Sequence, residues 1–139
     1  MILVDTRVLL DVVQADEEWA DWSQAQLEWA AEHGGLLINP IIYTEFSVWY
    51  EDMAKLESVL AAFGTTSEHL PREALFLAGK AFRQYRARGG TRTSLLPDFF
   101  IGAHAAVREL PVLTRDTARI RTYFPTVTLL APGGKGKHL

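Results

Sequence analysis

Ile2-Leu3-Val4-Asp5-Thr6-Arg7 decides how the chain is read, because three apolar residues run straight into a carboxylate where the chain must turn. A short apolar run bounded by a turn signal marks a strand buried on both faces, here residues 2–5. Helical spacing takes over across 8–13. A second such strand, 36–39, follows Gly34-Gly35, a pair suited to ending a helix. Between the two, Asp16-Glu17-Glu18 places negative charge at the start of a helix running to about His33. Pro40 then sits at the first position of a helix over 41–50, where its missing N–H costs little.

Further helices are expected over 53–63, over 71–88 and from Pro97-Asp98 to Arg108. In the second of these, Leu75, Leu77, Ala78, Ala81, Phe82 and Tyr85 are spaced to form an apolar stripe. The last strands fall at 112–114 and 127–130. Short strands alternating with helices imply an α/β fold: one domain over 1–131, a short parallel sheet flanked by helices on both faces. A basic tail is expected over 132–139. With 139 residues, 48% of them hydrophobic, the chain can build one sizeable core.

Four acids lie where solubility does not require them. Asp5 ends the first apolar run, and Glu45 lies inside Ile41-Ile42-Tyr43-Thr44-Glu45-Phe46-Ser47-Val48-Trp49. Asp98 opens Pro97-Asp98-Phe99-Phe100-Ile101, and Asp116 follows Val112-Leu113-Thr114-Arg115. A buried carboxylate needs a cation or dense hydrogen bonding. In a parallel sheet the site lies beyond the C-terminal strand ends, so Asp5, Glu45, Asp98 and Asp116 are expected to face one crevice. Hard oxygen ligands of this kind suit magnesium, which can polarise a phosphodiester and acidify a water. Taken singly, Asp5 and Asp98 read equally as helix caps and Asp116 as a turn residue. Glu45, with apolar flanks on both sides, is the hardest to explain in such terms.

The absence of cysteine excludes disulfides, thiolate zinc and a thiol nucleophile. No apolar stretch is long enough to span a bilayer, so a cytoplasmic protein without membrane contact is expected. Net charge is only −3, but it is unevenly spread. Residues 1–73 hold 14 Asp/Glu against 3 Lys/Arg, and residues 74–139 hold 3 against 11. Such asymmetry points to nucleic acid. Lys80, Arg83, Arg86, Arg88 and Arg92 form one basic run, and Arg115, Arg119 and Arg121 another beside Asp116. A backbone of phosphates is the partner these runs suit, although the first reads equally as a solvated helix face.

In this order and at this length, the four acidic segments resemble the PIN-domain nucleases, and among them the VapC-type toxins of toxin–antitoxin pairs. Arg121-Thr122-Tyr123-Phe124-Pro125, followed by a strand and Ala131-Pro132, is similar to one branch of these toxins. The resemblance implies that Asp5, Glu45, Asp98 and Asp116 bind magnesium or manganese and carry catalysis, and that Thr114 supports the last acid. It also implies hydrolysis of RNA, tRNA or another structured RNA, a cognate antitoxin protein, and a homodimer. Position 7 departs from the family, which usually has Ser or Asn there; this chain has Arg7. Arg7 either contacts substrate phosphate, with Arg92 and Arg115 as further substrate contacts, or pairs with Asp5 or Asp98 and competes with metal. The second case would leave a non-catalytic RNA- or protein-binding module. Where some PIN proteins carry another acid after Asp116, Ala118 and Arg119 offer none, which favours one tightly held metal and a second recruited with RNA.

Trp19, Trp22 and Trp29 share a helical spacing that Gln26 continues, and read as core or as a patch for a partner helix or second subunit. His104 reads as a packed or exposed histidine. A receiver-like phosphoacceptor domain also places acids at strand ends. It fits worse, since Asp5 has no acidic neighbour and residues 127–130 hold no lysine.

Overall fold

The computed structural model describes residues 1–133; the expected basic tail, from Gly134 on, lies outside the described residues. Five parallel strands form one sheet: β1 (Ile2–Val4), β2 (Leu36–Ile38), β3 (Thr65–Ser67), β4 (Val112–Leu113) and β5 (Leu129–Leu130), in the order β3-β2-β1-β4-β5. Central β1 is paired on both sides, Leu3 lying level with Leu37 of β2 and with Val112 of β4. That is why its three residues are apolar without alternation: both faces are covered.

Among the described residues seven α-helices connect the strands: α1 (Thr6–Val13), α2 (Ala20–Glu32), α3 (Pro40–Ser47), α4 (Met53–Phe63), α5 (Arg72–Ala87), α6 (Leu96–Arg108) and α7 (Ala118–Tyr123). From β1 the chain steps outward through β2 to β3, then returns to β4 and steps outward again on the other side. Helix α1 packs on α2 and α3, and α6 on α5 and α7, the two groups that right-handed crossovers in opposite directions place on opposite faces. The reversal of direction falls between β1 and β4, where an open α/β sheet leaves a crevice at its C-terminal edge. Leu3, Val4, Ile38, Phe46, Phe99 and Leu113 are fully buried around this axis.

Several expectations change in detail. The sequence reading has four strands, whereas β3 makes a fifth. Thr65-Thr66-Ser67 carries no apolar residue, as an edge strand can, so nothing in its pattern marks it. Helix α7 has only six residues, too few for a periodic signal. The acidic start of the second helix is a turn: Asp16 Oδ2 accepts the amides of Glu18 and Trp19, and the α-helix begins at Ala20. On α5 the buried stripe is Ala74, Ala78 and Ala81, and Leu75 lies exposed.

Trp22 and Trp29 pack against the core, with Trp19 edge-on to Trp22. His104 is completely buried. Asn39 caps α3 by accepting the Ile42 amide through Oδ1, which turns its Nδ2 toward His104. Asn39 Nδ2 therefore donates to His104 Nδ1 at 3.0 Å, leaving Nε2–H to donate to Glu68 Oε2 at 2.8 Å. Arg108 grips the same Glu68 carboxylate with two bonds, and these contacts hold Glu68 down at about 2. This chain of bonds ties α3 to α6, the helices that carry Glu45 and Asp98.

Candidate active site

Asp5 follows β1 directly, and its amide still belongs to the sheet, donating to Leu113 O at 2.9 Å. It occupies the N-cap position of α1, yet its side chain makes no capping bond. Oδ2 instead accepts Thr114 Oγ1 at 2.8 Å. Thr114 follows β4, is fully buried, and accepts the Asp116 amide at 3.1 Å. One hydroxyl thus braces two acids from adjacent strands. Glu45 projects from the second turn of α3, where its Oε1 accepts Thr6 Oγ1 at 2.7 Å. Asp98 lies in the first turn of α6 without capping it, and Oδ2 takes a 2.9 Å bond from Arg119 Nη1.

All four acids line one crevice of about 590 Å3, together with Thr6, Arg7, Leu10, Val48, Trp49 and Arg115. Their electrostatics show the strain of that arrangement. Burial pushes Asp5 up to about 6, Thr114 pulls it down, and the charges of Asp98 and Glu45 push it up again. Glu45 is raised chiefly by burial, and further by Asp98, against the pull of Thr6 and Arg7. Burial also raises Asp98, opposed by Arg119 and reinforced by Asp116. Carboxylates crowded in this way hold protons unless a cation neutralises them.

Among the described residues no three acidic or histidine side chains stand close enough to cage an ion unaided. That is compatible with magnesium, which keeps several waters and takes only one or two carboxylates. The donors are all hard oxygens sharing excess negative charge, so the residues present fit a hard divalent ion such as magnesium or manganese.

The expected cations divide. Arg7 is exposed, lines the crevice and makes no ion pair among the described residues. The cation on Asp98 is Arg119. Arg92 is exposed and near enough to Asp98 to help lower it. Arg115 faces the crevice, but its guanidinium is committed: Nε and Nη2 each bond Asp11 at 2.9 Å, and the group lies 4.8 Å over the Trp19 ring. Asp11 is 1% exposed and also accepts Ser23 Oγ.

Sequence reasoning missed Thr6, Asp11 and Trp49 as members of this site, and read Arg119 as part of a basic run suited to phosphate, not as the partner of Asp98. Thr6 gives no signal beyond standing next to an acid. Asp11 did give one, since Leu9-Leu10-Asp11-Val12-Val13 is an acid in apolar flanks, as Asp98 is between Pro97 and Phe99. Trp49 stood inside the segment that singled out Glu45.

A model of the PIN domain family matches residues 2–125. A search of curated proteins finds no match. Among solved structures the fold is similar to VapBC2 from Rickettsia felis bound to a promoter DNA fragment, with TM-score 0.70, 17% identity and coverage of 94% of this chain and 98% of that one. It is similar also to a toxin–antitoxin complex from Klebsiella pneumoniae, at TM-score 0.63, 19% identity and 92% and 96% coverage. FitAcB from Neisseria gonorrhoeae gives TM-score 0.63, 20% identity and 93% and 96% coverage. With the sheet order, the crevice at its switch point and a family model spanning nearly the whole chain, this protein belongs to the PIN-domain family.

Proposed function

We propose that this chain is a magnesium-dependent endoribonuclease, the toxin of a VapBC-type pair, and that Asp5, Glu45, Asp98 and Asp116 form its metal-binding and catalytic set. The observation that carries this reading is the convergence of four acids from four separate elements on one crevice, three of them raised above their ordinary values. Family membership supports nuclease chemistry in general, and the similar solved structures described as toxin–antitoxin complexes support an antitoxin partner. A homodimer and action in the cytoplasm complete the proposal; no helix among the described residues is long and apolar enough to cross a membrane.

When bound, magnesium or manganese supplies positive charge against the phosphodiester oxygens and acidifies a water at neutral pH. The chain's residues do the rest. Asp5 and Asp98 would hold the ion, Asp5 kept in place by Thr114. Glu45, fixed by Thr6, and Asp116, fixed through its amide, stand at the crevice to orient water and take up its proton. Arg7 and Arg92, both exposed, hold substrate phosphates. Attack by water, not by the ribose 2′-hydroxyl, leaves 5′-phosphate and 3′-hydroxyl ends.

The test is to incubate partner-free protein with total RNA of its host, with magnesium, with chelator and as Asp98→Asn, and to map new 5′ ends. Discrete 5′-phosphate ends requiring both metal and Asp98 are expected. No cleavage by folded protein would reject the reading in favour of a non-catalytic module.

A further inference from the structure

We infer that Trp49 is a stacking platform for one unpaired nucleobase of the substrate, and that Arg7 holds a phosphate adjoining it; the inference rests on the nuclease reading of the crevice. Helix α3 ends at Ser47, and the chain turns through Val48, Trp49 and Tyr50 before α4 starts at Met53. The two aromatic residues of this turn part company. Tyr50 turns inward, edge-on to buried Phe46 at 5.2 Å between ring centroids. Trp49 stays out, 58% exposed, on the wall of the crevice that holds the four acids. The other three tryptophans are all partly buried. An indole has a large apolar face to gain from cover, so one left in water beside a reaction site invites a flat partner.

The crevice itself selects the partner's chemistry. Its acids face the phosphodiester in the nuclease reading, and Arg7 supplies an exposed cation on the same lining. A planar aromatic surface beside a cation, in a crevice of about 590 Å3, matches the base and phosphate of a nucleotide. Within a duplex both faces of a base are covered by its neighbours. A base that reaches Trp49 must therefore be unstacked, which makes loops, bulges and single strands the substrate class. Stacking discriminates weakly among bases, so Trp49 would contribute affinity for unpaired RNA more than sequence preference. Val48, 76% exposed on the same lining, extends the apolar edge on which a sugar or second base can rest.

The test uses full-length protein and a hexauridylate carrying one central 2-aminopurine, with calcium in place of magnesium. Binding is read by anisotropy of an end label and stacking by quenching of the 2-aminopurine. Wild type should quench the base and Trp49→Phe should retain most of that quenching. Trp49→Ala should lose it and bind about tenfold more weakly, with an unchanged melting temperature. If Trp49→Ala quenches and binds like wild type while Arg7→Ala weakens binding, the platform is wrong and the nuclease reading stands. The platform is equally wrong if Trp49→Ala impairs binding of a protein partner but not of the oligonucleotide. Wild type that cleaves total RNA yet ignores the oligonucleotide also overturns the platform alone. Failure in both assays overturns both.

Discussion

Thr114 Oγ1 donates to Asp5 Oδ2 at 2.8 Å, joining residues 109 positions apart at the ends of two adjacent strands. The bond lowers the Asp5 pKa against burial. Thr114→Val keeps the shape and removes the hydroxyl, so Asp5 should hold its proton to higher pH. Metal and proton compete for that carboxylate, and a hydrogen bond to a charged group is worth about 1.5–3 kcal/mol. Manganese affinity at pH 7 is expected to fall about tenfold, with its acid limb moved upward in pH, while Thr114→Ser stays near wild type. Calorimetric titration across pH 5.5–8 checks this. An unchanged acid limb would show that Thr114 matters only for packing.

The raised acids also make the metal-free fold sensitive to pH. Asp5 titrates near 3.8 when unfolded and at about 6 when folded. Between those values the folded state holds a proton that the unfolded state has lost, so stability declines as pH rises through that window. Glu45 and Asp98, also raised, act in the same direction. Glu68 acts oppositely: lowered from 4.5 to about 2, it contributes stability above 4.5 that disappears as pH falls toward 2. Metal-free melting temperature should therefore fall from pH 5 to 7, and magnesium should flatten that slope. Asp5→Asn should raise the metal-free melting temperature at pH 7 by on the order of 5 °C. A metal-free profile that rises over this range would contradict the burial of these acids.

Arg115 shows what a charge run conceals. Both forks of its guanidinium bind Asp11, which has almost no exposed surface. Losing one member of a buried pair leaves the other uncompensated, at about 3–5 kcal/mol. Arg115→Ala should lower unfolding stability by at least about 2 kcal/mol, allowing for the part of Arg115 still in water. Asp11→Asn with Arg115→Gln should recover part of that loss. Urea denaturation measures it. An Arg115→Ala protein of normal stability but weakened RNA binding would restore Arg115 to the substrate-contacting set.

Which parts of the site were legible follows from where their signals lie. Asp5, Glu45 and Asp98 announce themselves because a carboxylate beside apolar neighbours violates the local pattern, whereas Asp116, exposed between Arg115 and Thr117, is marked only by the strand it follows. Asp11 violates it equally, and only its contact with Arg115, 104 positions away, separates a structural ion pair from a metal ligand. Arg7 and Arg119 are alike as letters, yet Arg119 meets Asp98 because α7 packs on α6, a contact no local pattern encodes. Most helices could be placed from caps and periodicity, since those signals are local. Strand β3 is three polar residues recruited by β2, and nothing within it predicts pairing.

His104 is buried between Asn39 and Glu68 and hydrogen-bonds both. Asn39 caps the helix of Glu45, and His104 lies on the helix of Asp98, so this bridge fixes the two helices relative to each other behind the crevice. His104→Leu leaves Asn39 Nδ2 buried without its partner and frees one bond of Glu68. Each loss is of the order of 1–3 kcal/mol, so a total destabilisation of about 2–4 kcal/mol is expected by urea denaturation. If the bridge also sets the spacing of the acids, manganese affinity should drop several-fold under conditions where the variant is fully folded. Glu68→Gln should produce a milder form of both effects, since its amide oxygen can still accept from His104 Nε2. A variant that is destabilised but binds manganese like wild type would mean the network holds the fold together and leaves the acids to be placed by Thr6, Thr114 and Arg119.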